Sequence, residues 1–375
     1  DGKDKYKMTK NADGNWELKI TPNIYAYYGV PESTEVTQLC FVFNDGPGGN
    51  LEGKADGNAD IFVDLAEAGL AAVITNTIPE ISSVGDVIDL KCQSTQEAKL
   101  QLYINNQLVQ EGEGTELVYN YTLSQGGDYH FQFVAQVGEE KSTADAFTCV
   151  ASIPELEARP AGVDMGIYYD ENDPTKVTLC TYAASKTQAA KHVLLLGDMT
   201  DWKLSNDYQL YKDGNYFWIT LTGLEPKKEY RFQYVVVRAD GVKVQMSDLY
   251  SEKVLHPDDA YEPSTVDPTL IGYPLKGADG GYVTVIQPGK EKYKWSDYTL
   301  NFKRPNKNNL VIYELWVYDY TAKRSIKGVM DRLDYIQNLG VNAIEVMPVC
   351  EFEGNYNRGY SPTHYFAFDK AYGSS

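Results

Sequence analysis

The chain has 375 residues, of which 43% are hydrophobic and 23% charged, with a formal net charge of −19. This length predicts about two to four domains, and the composition is that of a folded protein. Nucleic acid is excluded as a partner because phosphate binding needs clustered Lys and Arg, which this acidic chain lacks.

The cysteines are widely spaced, odd in number and without metal-binding spacing. We therefore expect buried thiols at Cys40, Cys92, Cys149, Cys180 and Cys350. No apolar stretch approaches the roughly 18 residues of a membrane-spanning helix.

From residue 1 to about 250, short alternating runs are broken by Gly, Asn, Asp and Pro, a pattern that predicts β-strands. Turn signals near Leu70, Pro154 and Pro257 divide them into three modules. We predict a partial β-sandwich at 1–68, an immunoglobulin-like spacer sandwich at 69–152 and a further sandwich at 153–262.

The first module carries an aromatic cluster. Asp13-Gly-Asn-Trp16 and Tyr25-Ala-Tyr-Tyr-Gly29 predict a strand hairpin that ends in this cluster. Strand alternation would place Tyr25 and Tyr27 on one face and Tyr28 on the other. Because one face must be core, only part of the cluster can be exposed to a ligand.

After residue 303 the pattern changes. A nearly continuous apolar run at 310–317 predicts a buried strand, Ser325 and the spacing that follows predict a helix to Leu339, and 341–347 predicts a second buried strand. Strand, helix and strand form a βαβ unit. Since the helix covers one face only, we expect further strands or another chain to complete the sheet.

Several motifs of this last region resemble the α-amylase superfamily, glycoside hydrolase family 13. They are Val311-Ile-Tyr-Glu-Leu-Trp-Val-Tyr-Asp-Tyr320, Gly340-Val-Asn-Ala-Ile-Glu-Val-Met-Pro-Val349, Gly359-Tyr-Ser-Pro362 and Tyr372-Gly373. The resemblance implies that 263–375 is a linker and the first βαβ of a catalytic barrel. The predicted fold class is thus multidomain: tandem all-β immunoglobulin-like sandwiches followed by the start of a (β/α)8 TIM barrel.

The same resemblance suggests where sugar is bound. Tyr360 would stack under the sugar ring at the cleavage subsite, although Arg358 and Ser361 differ from the residues the family often has there. Gly197-Asp-Met-Thr-Asp-Trp202 resembles the glycogen-binding-type module that precedes many such barrels. At Trp202 packing is favoured over a sugar platform, and Trp218, Tyr25, Tyr27 and Tyr28 are further candidates for substrate binding.

The family takes its catalytic carboxylates from its fourth, fifth and seventh barrel strands. We therefore expect no catalytic residue, metal ligand or cofactor site in this chain, with calcium a candidate only in the rest of the barrel. Glu314 and Glu345 are expected to be buried structural carboxylates, and His364 a packed histidine.

Together these features predict the N-terminal portion of a secreted bacterial glycoside hydrolase that acts on α-1,4 or α-1,6 bonds with retention. Its expected partners are an α-glucan or maltooligosaccharide and the remainder of the catalytic barrel. Acidity, tandem sandwiches and tyrosine content favour an extracellular, cell-surface or periplasmic location. The alternatives are a non-catalytic starch- or glycogen-binding surface protein and a branching-type transferase.

Overall fold

A computed structural model describes most of the chain, and its contacts divide it into two compact units, Asp1–Val150 and Ala151–Ser375. The described residues are 6–10, 16–21, 23–31, 34, 36–44, 52–55, 59–64, 69–184, 189–262 and 264–373. Asp13, Gly14 and Asn15 of the predicted hairpin lie outside them, as does the predicted module edge at 68.

Before residue 69, the described part of the first unit consists of short strands and one short helix. These are β1 Thr9–Lys10, β2 Trp16–Glu17, α1 Ile24–Tyr28, β3 Gln38–Phe41, β4 Phe43–Asn44, β5 Glu52–Gly53 and β6 Ile61–Asp64. The strands pair only in twos, β1 with β2, β3 with β6 and β4 with β5.

Helix α1 forms because both of its ends are capped. The Asn23 side chain accepts a hydrogen bond from Ala26 N at 2.8 Å, which satisfies a free N–H of the first turn. Gly29 follows the helix at φ 70°, a left-handed conformation that glycine adopts without steric cost. The region is therefore helical where a strand was predicted.

The predicted alternation of the tyrosines is consequently wrong. Tyr27 and Tyr28 lie edge to face with ring centroids 5.0 Å apart, instead of on opposite faces. Tyr6 packs against both rings at 5.9 and 6.4 Å. Tyr25 lies on the same helical turn and is partly exposed. The rings pack mainly on one another.

The remainder of the first unit is a six-stranded sheet in the order β10-β9-β11-β12-β8, with β7 also paired to β9. The strands are β7 Ala72–Ile74, β8 Ile81–Ser83, β9 Val87–Ile104, β10 Gln107–Thr122, β11 Gly127–Val137 and β12 Glu140–Ala151. Side chains from both halves of β9, including Leu90 and Leu102, meet Phe131 and Phe133 in one core. The two layers of this module are thus halves of one continuous sheet.

The second unit begins with a β-sandwich. Its strands are β13 Gly166–Tyr169, β14 Val177–Tyr182, β15 Ala190–Gly197, β16 Tyr211–Asp213, β17 Tyr216–Leu221, β18 Tyr230–Arg238, β19 Lys243–Met246, β20 Val254–Leu255 and β21 Val283–Ile286. One sheet has the order β13-β14-β17-β16 and the other β15-β18-β21-β20, with β19 beside β18. Apolar side chains from both sheets form the core between them. Strand β21 lies beyond the predicted module end at 262.

Gly197 lies where β15 passes closest to its neighbour β18. A Cβ at this position would lie 2.3 Å from Arg231 O, closer than any real Cβ contact. The next residue, Asp198, accepts hydrogen bonds from Arg231 N at 2.8 Å and Arg231 Nε at 3.0 Å. Glycine is therefore required to let Asp198 reach the neighbouring strand.

The rest of the second unit contains short helices and two small sheets. These elements are α2 Asp297–Leu300, β22 Ile312–Leu315, α3 Val317–Tyr320, α4 Ile326–Met330, α5 Leu333–Asn338, β23 Ala343–Val346, β24 Cys350–Phe352 and β25 Pro362–Phe368. Single 3-10 turns lie at Asp198–Thr200, Asn206–Tyr208, Pro257–Tyr261, Lys307–Asn309 and Lys370–Tyr372.

Strands β22 and β23 are parallel, with Ile312 opposite Ala343, and α4 and α5 lie between them in the chain. The predicted strand–helix–strand unit is thus present, with its helix divided in two. A barrel is not shown, because the parallel sheet within the described residues has two strands.

The surface of this parallel pair is largely uncovered in the described chain. Ile312, Ile344 and Val346 are exposed apolar side chains. Glu314 and Glu345 are exposed as well, so the prediction that they are buried was wrong. Their burial would require the further strands that a complete sheet provides.

All five cysteines are free thiols. Cys92, Cys149 and Cys180 are buried as expected, whereas Cys40 is exposed and Cys350 partly so. In the part of the chain that the structure describes, no helix is long and apolar enough to cross a membrane.

We expect Gly197→Ala to lower the free energy of unfolding by about 1–3 kcal/mol, since the added methyl forces β15 and β18 apart. Urea denaturation measures this. Gly272→Ala is the control, because nothing lies within 4 Å of a Cβ placed there. Equal effects of the two substitutions would contradict the close approach.

Candidate functional site

Three aromatic rings meet just after the carboxyl end of β22. Trp316 and Tyr318 are stacked, with centroids 5.1 Å apart and an interplanar angle of 18°. Tyr356, from the loop 353–361, packs edge-on against both at 5.4 and 5.1 Å. We call these three residues the aromatic platform. Tyr356 is 70% exposed, so the platform borders solvent.

Two arginines hold the platform through their cationic groups. The Arg324 guanidinium carbon lies 4.5 Å from the Tyr318 ring centre, and Nη1 donates a hydrogen bond to the Tyr318 hydroxyl at 2.8 Å. Arg358 lies 5.7 Å from the Trp316 ring. Such cation–π contacts orient the rings and leave guanidinium N–H groups beside them as donors.

The loop that carries Tyr356 is fixed by its backbone. Gly359 has φ 84°, and a Cβ there would lie 2.1 Å from Pro348 O, so only glycine fits. Its N–H donates to Asn357 Oδ1 at 3.0 Å. The Tyr372 hydroxyl donates to Asn357 O at 3.3 Å and accepts from Trp316 Nε1 at 3.1 Å. The loop and platform are therefore one hydrogen-bonded assembly.

Tyr360 follows this glycine and is 65% exposed. It lies on the same loop as Tyr356, which contributes to the platform. Its stacking under a sugar ring stays a prediction, and its exposure leaves the ring accessible.

A buried lysine forms ion pairs next to the start of the loop 353–361. Lys370 is 5% exposed, and its Nζ forms a short ion pair with Glu351 on β24 and a second one, at 3.4 Å, with Asp259 in the turn Pro257–Tyr261. We call these three residues the lysine clamp. The loop begins two residues after Glu351, so the clamp ties its base to the turn between β20 and β21 of the sandwich.

Two neighbouring contacts reinforce the clamp. Asp369 accepts hydrogen bonds from Phe352 N at 3.1 Å and Ala371 N at 2.8 Å. Asn355 Nδ2 donates to Asp258 O at 2.6 Å. Backbone atoms on both sides of the hairpin are thereby held in place.

Burial raises the pKa of acidic side chains in this region. It raises the pKa of Glu351 to about 8, against the opposing effect of the Lys370 ammonium, and that of Asp369 to about 6. Glu351 Oε2 is buried without a hydrogen-bond partner among the described residues. One lysine cannot fully compensate all the nearby carboxylates, so ionised Glu351 is less stable here than an exposed glutamate.

A second pair of polar groups has the spacing of a nucleophile and base. Ser247 Oγ lies 2.8 Å from His364 Nε2, and both residues are buried. However, His364 Nδ1 lies beside the Thr363 hydroxyl instead of a carboxylate, and burial lowers the pKa of His364 to about 4. The pair therefore packs the hairpin and has no access to substrate.

The candidate tryptophans of the sandwich are buried. Trp202 is 8% exposed, and its Nε1 donates to Asp198 Oδ1 at 2.9 Å. Trp218 is 6% exposed, and its Nε1 donates to Glu157 O at 3.0 Å. Both indoles are buried, which agrees with the favoured packing role of Trp202 and disfavours sugar binding at Trp202 and Trp218.

Sequence reasoning missed both the aromatic platform and the lysine clamp. Trp316 and Tyr318 lie two residues apart directly after an apolar strand, a signal that could have marked them. The contribution of Lys370 depends on partners 19 and 111 positions away in the chain, which no local pattern reveals. In the described residues, no group of three or more His, Cys, Asp or Glu is arranged to hold a metal.

No family model matches the chain. Several known proteins are nevertheless similar to it in sequence. The malto-oligosyltrehalose trehalohydrolase of Saccharolobus solfataricus is 36% identical over 93 residues, 25% of this chain and 16% of that enzyme. Pullulanase A of Streptococcus pneumoniae is 27% identical over 240 residues, 56% of this chain and 16% of that protein. The chain is related to the α-amylase superfamily.

The matched regions thus span about a sixth of the length of these relatives. Among solved structures, a pullulanase from Anoxybacillus in complex with maltotriose covers 81% of this chain and 44% of its own, at 17% identity and a TM-score of 0.39. A score that low establishes no shared fold, so the similarity to enzymes of the α-amylase superfamily rests on the sequence relatives.

The raised carboxyl pKa values predict a pH-dependent stability. The pKa of Glu351 is about 4.5 in the unfolded chain and about 8 in the folded one. Below pH 4.5 the carboxyl group is protonated in both states and does not change the stability. Between pH 4.5 and 8 the unfolded chain loses this proton more readily, so the free energy of unfolding falls as the pH rises. We expect the melting temperature to fall between pH 5 and 8.5, and Glu351→Gln to reduce that fall. Scanning calorimetry measures it. The exposed Glu353→Gln is the control, and an identical pH profile for Glu351→Gln would refute the assignment.

Removing the cation should cost more than removing the acid. We expect Lys370→Met to lower the free energy of unfolding by about 3–5 kcal/mol, because the buried carboxylates of Glu351 and Asp259 lose the cation that pairs with both. The double variant Lys370→Met/Glu351→Gln should recover part of this loss in guanidinium denaturation. A loss under about 1 kcal/mol for the single variant would show that the clamp is dispensable.

Proposed function

We propose that this chain is the N-terminal portion of an α-glucan-acting glycoside hydrolase, similar to an α-amylase or pullulanase. The observation that carries the proposal is the aromatic platform, set at the carboxyl end of the first parallel strand beside the loop that bears Tyr360. In barrel enzymes this end of the strands holds the active site. The sequence relationship to a trehalohydrolase and a pullulanase supports the same family of reactions.

The chemistry of the platform suits a neutral sugar. The flat face of a pyranose ring packs its C–H groups on aromatic rings, and its hydroxyls need hydrogen-bond donors and acceptors at the edge. Tyr356 and Tyr360 supply exposed rings, and Arg324 and Arg358 supply donors. The net charge of −19 would repel an anionic polymer, so a neutral polymer is favoured as the ligand.

The proposed reaction is retaining hydrolysis at α-1,4 or α-1,6 bonds. It needs one carboxylate as nucleophile and a second carboxyl group to protonate the leaving oxygen, and we propose that neither is among these residues. Glu314 and Glu345 are register partners on the neighbouring strands β22 and β23, and both side chains are exposed. The part of this chain would be to bind and orient glucan.

We further propose that the protein works outside the cytoplasm, at the cell surface or in the periplasm. Its acidity, its β-modules and its thirty tyrosines support this location. A soluble extracellular glucan would then be the natural substrate class.

Binding at the platform can be measured by calorimetric titration of the chain with maltoheptaose. We expect Tyr356→Ala/Tyr360→Ala to weaken binding about five- to tenfold, since each lost ring removes a stacking surface. Tyr261→Ala is the matched control, because Tyr261 is exposed elsewhere in the same unit. Unchanged affinity in the double variant would reject the platform as a glucan site.

Catalysis gives a separate test. We expect the 375-residue chain to release no reducing sugar from starch, glycogen or pullulan, because it lacks the carboxylates that stabilise the transition state. Release that disappears with Glu314→Gln or Glu345→Gln would overturn this expectation and assign the acids to those strands.

A further inference from the structure

An exposed aromatic ring lies on the outer face of the sheet in the first unit, next to side chains that are hydrogen-bonded to one another. Phe147 on β12 is 64% exposed. Its ring stacks on His130 of β11, with centroids 4.5 Å apart and an interplanar angle of 6°. The two residues are direct partners in the strand register, so the backbone fixes this pair.

Polar side chains hold the histidine in place. His130 Nε2 lies 2.6 Å from Asp145 Oδ1, and Gln132 Nε2 donates to the same oxygen at 3.1 Å. The backbone N–H of His130 donates to Asn105 Oδ1 at 2.8 Å. The ring, the amide and the carboxylate are therefore preorganised before any ligand arrives.

Strand alternation directs this group outward. Phe131 and Phe133, the alternate residues of β11, are fully buried in the core, so His130 and Gln132 lie on the opposite face. Tyr103 of β9, partly exposed, is the register partner of Gln132 on that face. The rings of Tyr103 and Phe147 thus lie on either side of the polar side chains of Gln132 and Asp145.

We infer that this face is a second sugar-binding site, and that its ligand is a neutral glucan chain. A pyranose stacked on the open side of Phe147 would meet the Asp145 carboxylate and the Gln132 amide, which pair with sugar hydroxyls as acceptor and donor. The choice of an α-glucan rests on the proposed function. The neutral character of the ligand rests on charge, since residues 69–150 contain eleven acidic and three basic side chains.

A purely structural role accounts poorly for the same features. A ring that is 64% exposed contributes little burial to the sheet. The bonds from His130 and Gln132 to Asp145 orient polar groups at the surface, where the core gains nothing from them.

The experiment uses the whole chain carrying Tyr356→Ala/Tyr360→Ala, so that the contribution of the aromatic platform to binding is reduced. Maltoheptaose is titrated into this background with and without Phe147→Ala. We expect residual binding in the background and at least a tenfold loss with Phe147→Ala. Phe147→Tyr should restore it, and Val118→Ala, another exposed residue of the same sheet, should leave it unchanged. Melting curves verify folding.

A residual affinity that Phe147→Ala leaves unchanged would overturn the inference, and so would a background that binds no maltoheptaose. Neither outcome concerns the platform, whose failure would instead appear as equal affinity of the wild type and the double variant. The two proposals can therefore fail independently.

Discussion

In the second unit, the packing of the hairpin on the sandwich depends on the buried ammonium group of Lys370. Removing an ammonium group from water costs several kcal/mol, and Lys370 recovers that cost only where Glu351 and Asp259 both reach it. These partners come from β24 and from the turn between β20 and β21, so the pairing fixes how the hairpin packs on this turn. Tyr282, whose hydroxyl donates to Phe352 O at 3.2 Å, adds a second link between the sandwich and the hairpin.

The two aromatic surfaces of the protein are supported in different ways. At the aromatic platform, rings from separate segments are gathered by arginines and by the Tyr372 hydroxyl. On the first unit, strand register places Phe147 beside His130, and the neighbouring Asp145 orients the histidine ring. The first arrangement depends on long-range contacts and the second on local sheet geometry, which tolerates more change elsewhere in the chain.

Sequence patterns predicted the features that depend on local periodicity. The alternating runs of β9 and β11 became strands, and the strand–helix–strand order after 310 became the parallel pair β22 and β23. The pattern failed at Tyr25–Tyr28, where the Asn23 cap and Gly29 favour a helical turn over an extended chain. At Trp202 the favoured packing role agrees with the buried indole, whereas the sugar-binding role considered for Trp218 does not fit its burial. The lysine clamp was beyond prediction, since its partners are distant in the chain.

The way the 353–361 loop is held has a consequence for how binding preferences change over evolution. The loop is anchored through main-chain atoms, at Gly359 and Asn357, and through residues beneath it. The side chains at 356 and 358 add ring and cation–π contacts to this frame, and the side chain at 360 is exposed. Substitutions there can accumulate without unfolding the protein, so the residues that contact the ligand can diversify while the scaffold stays constant.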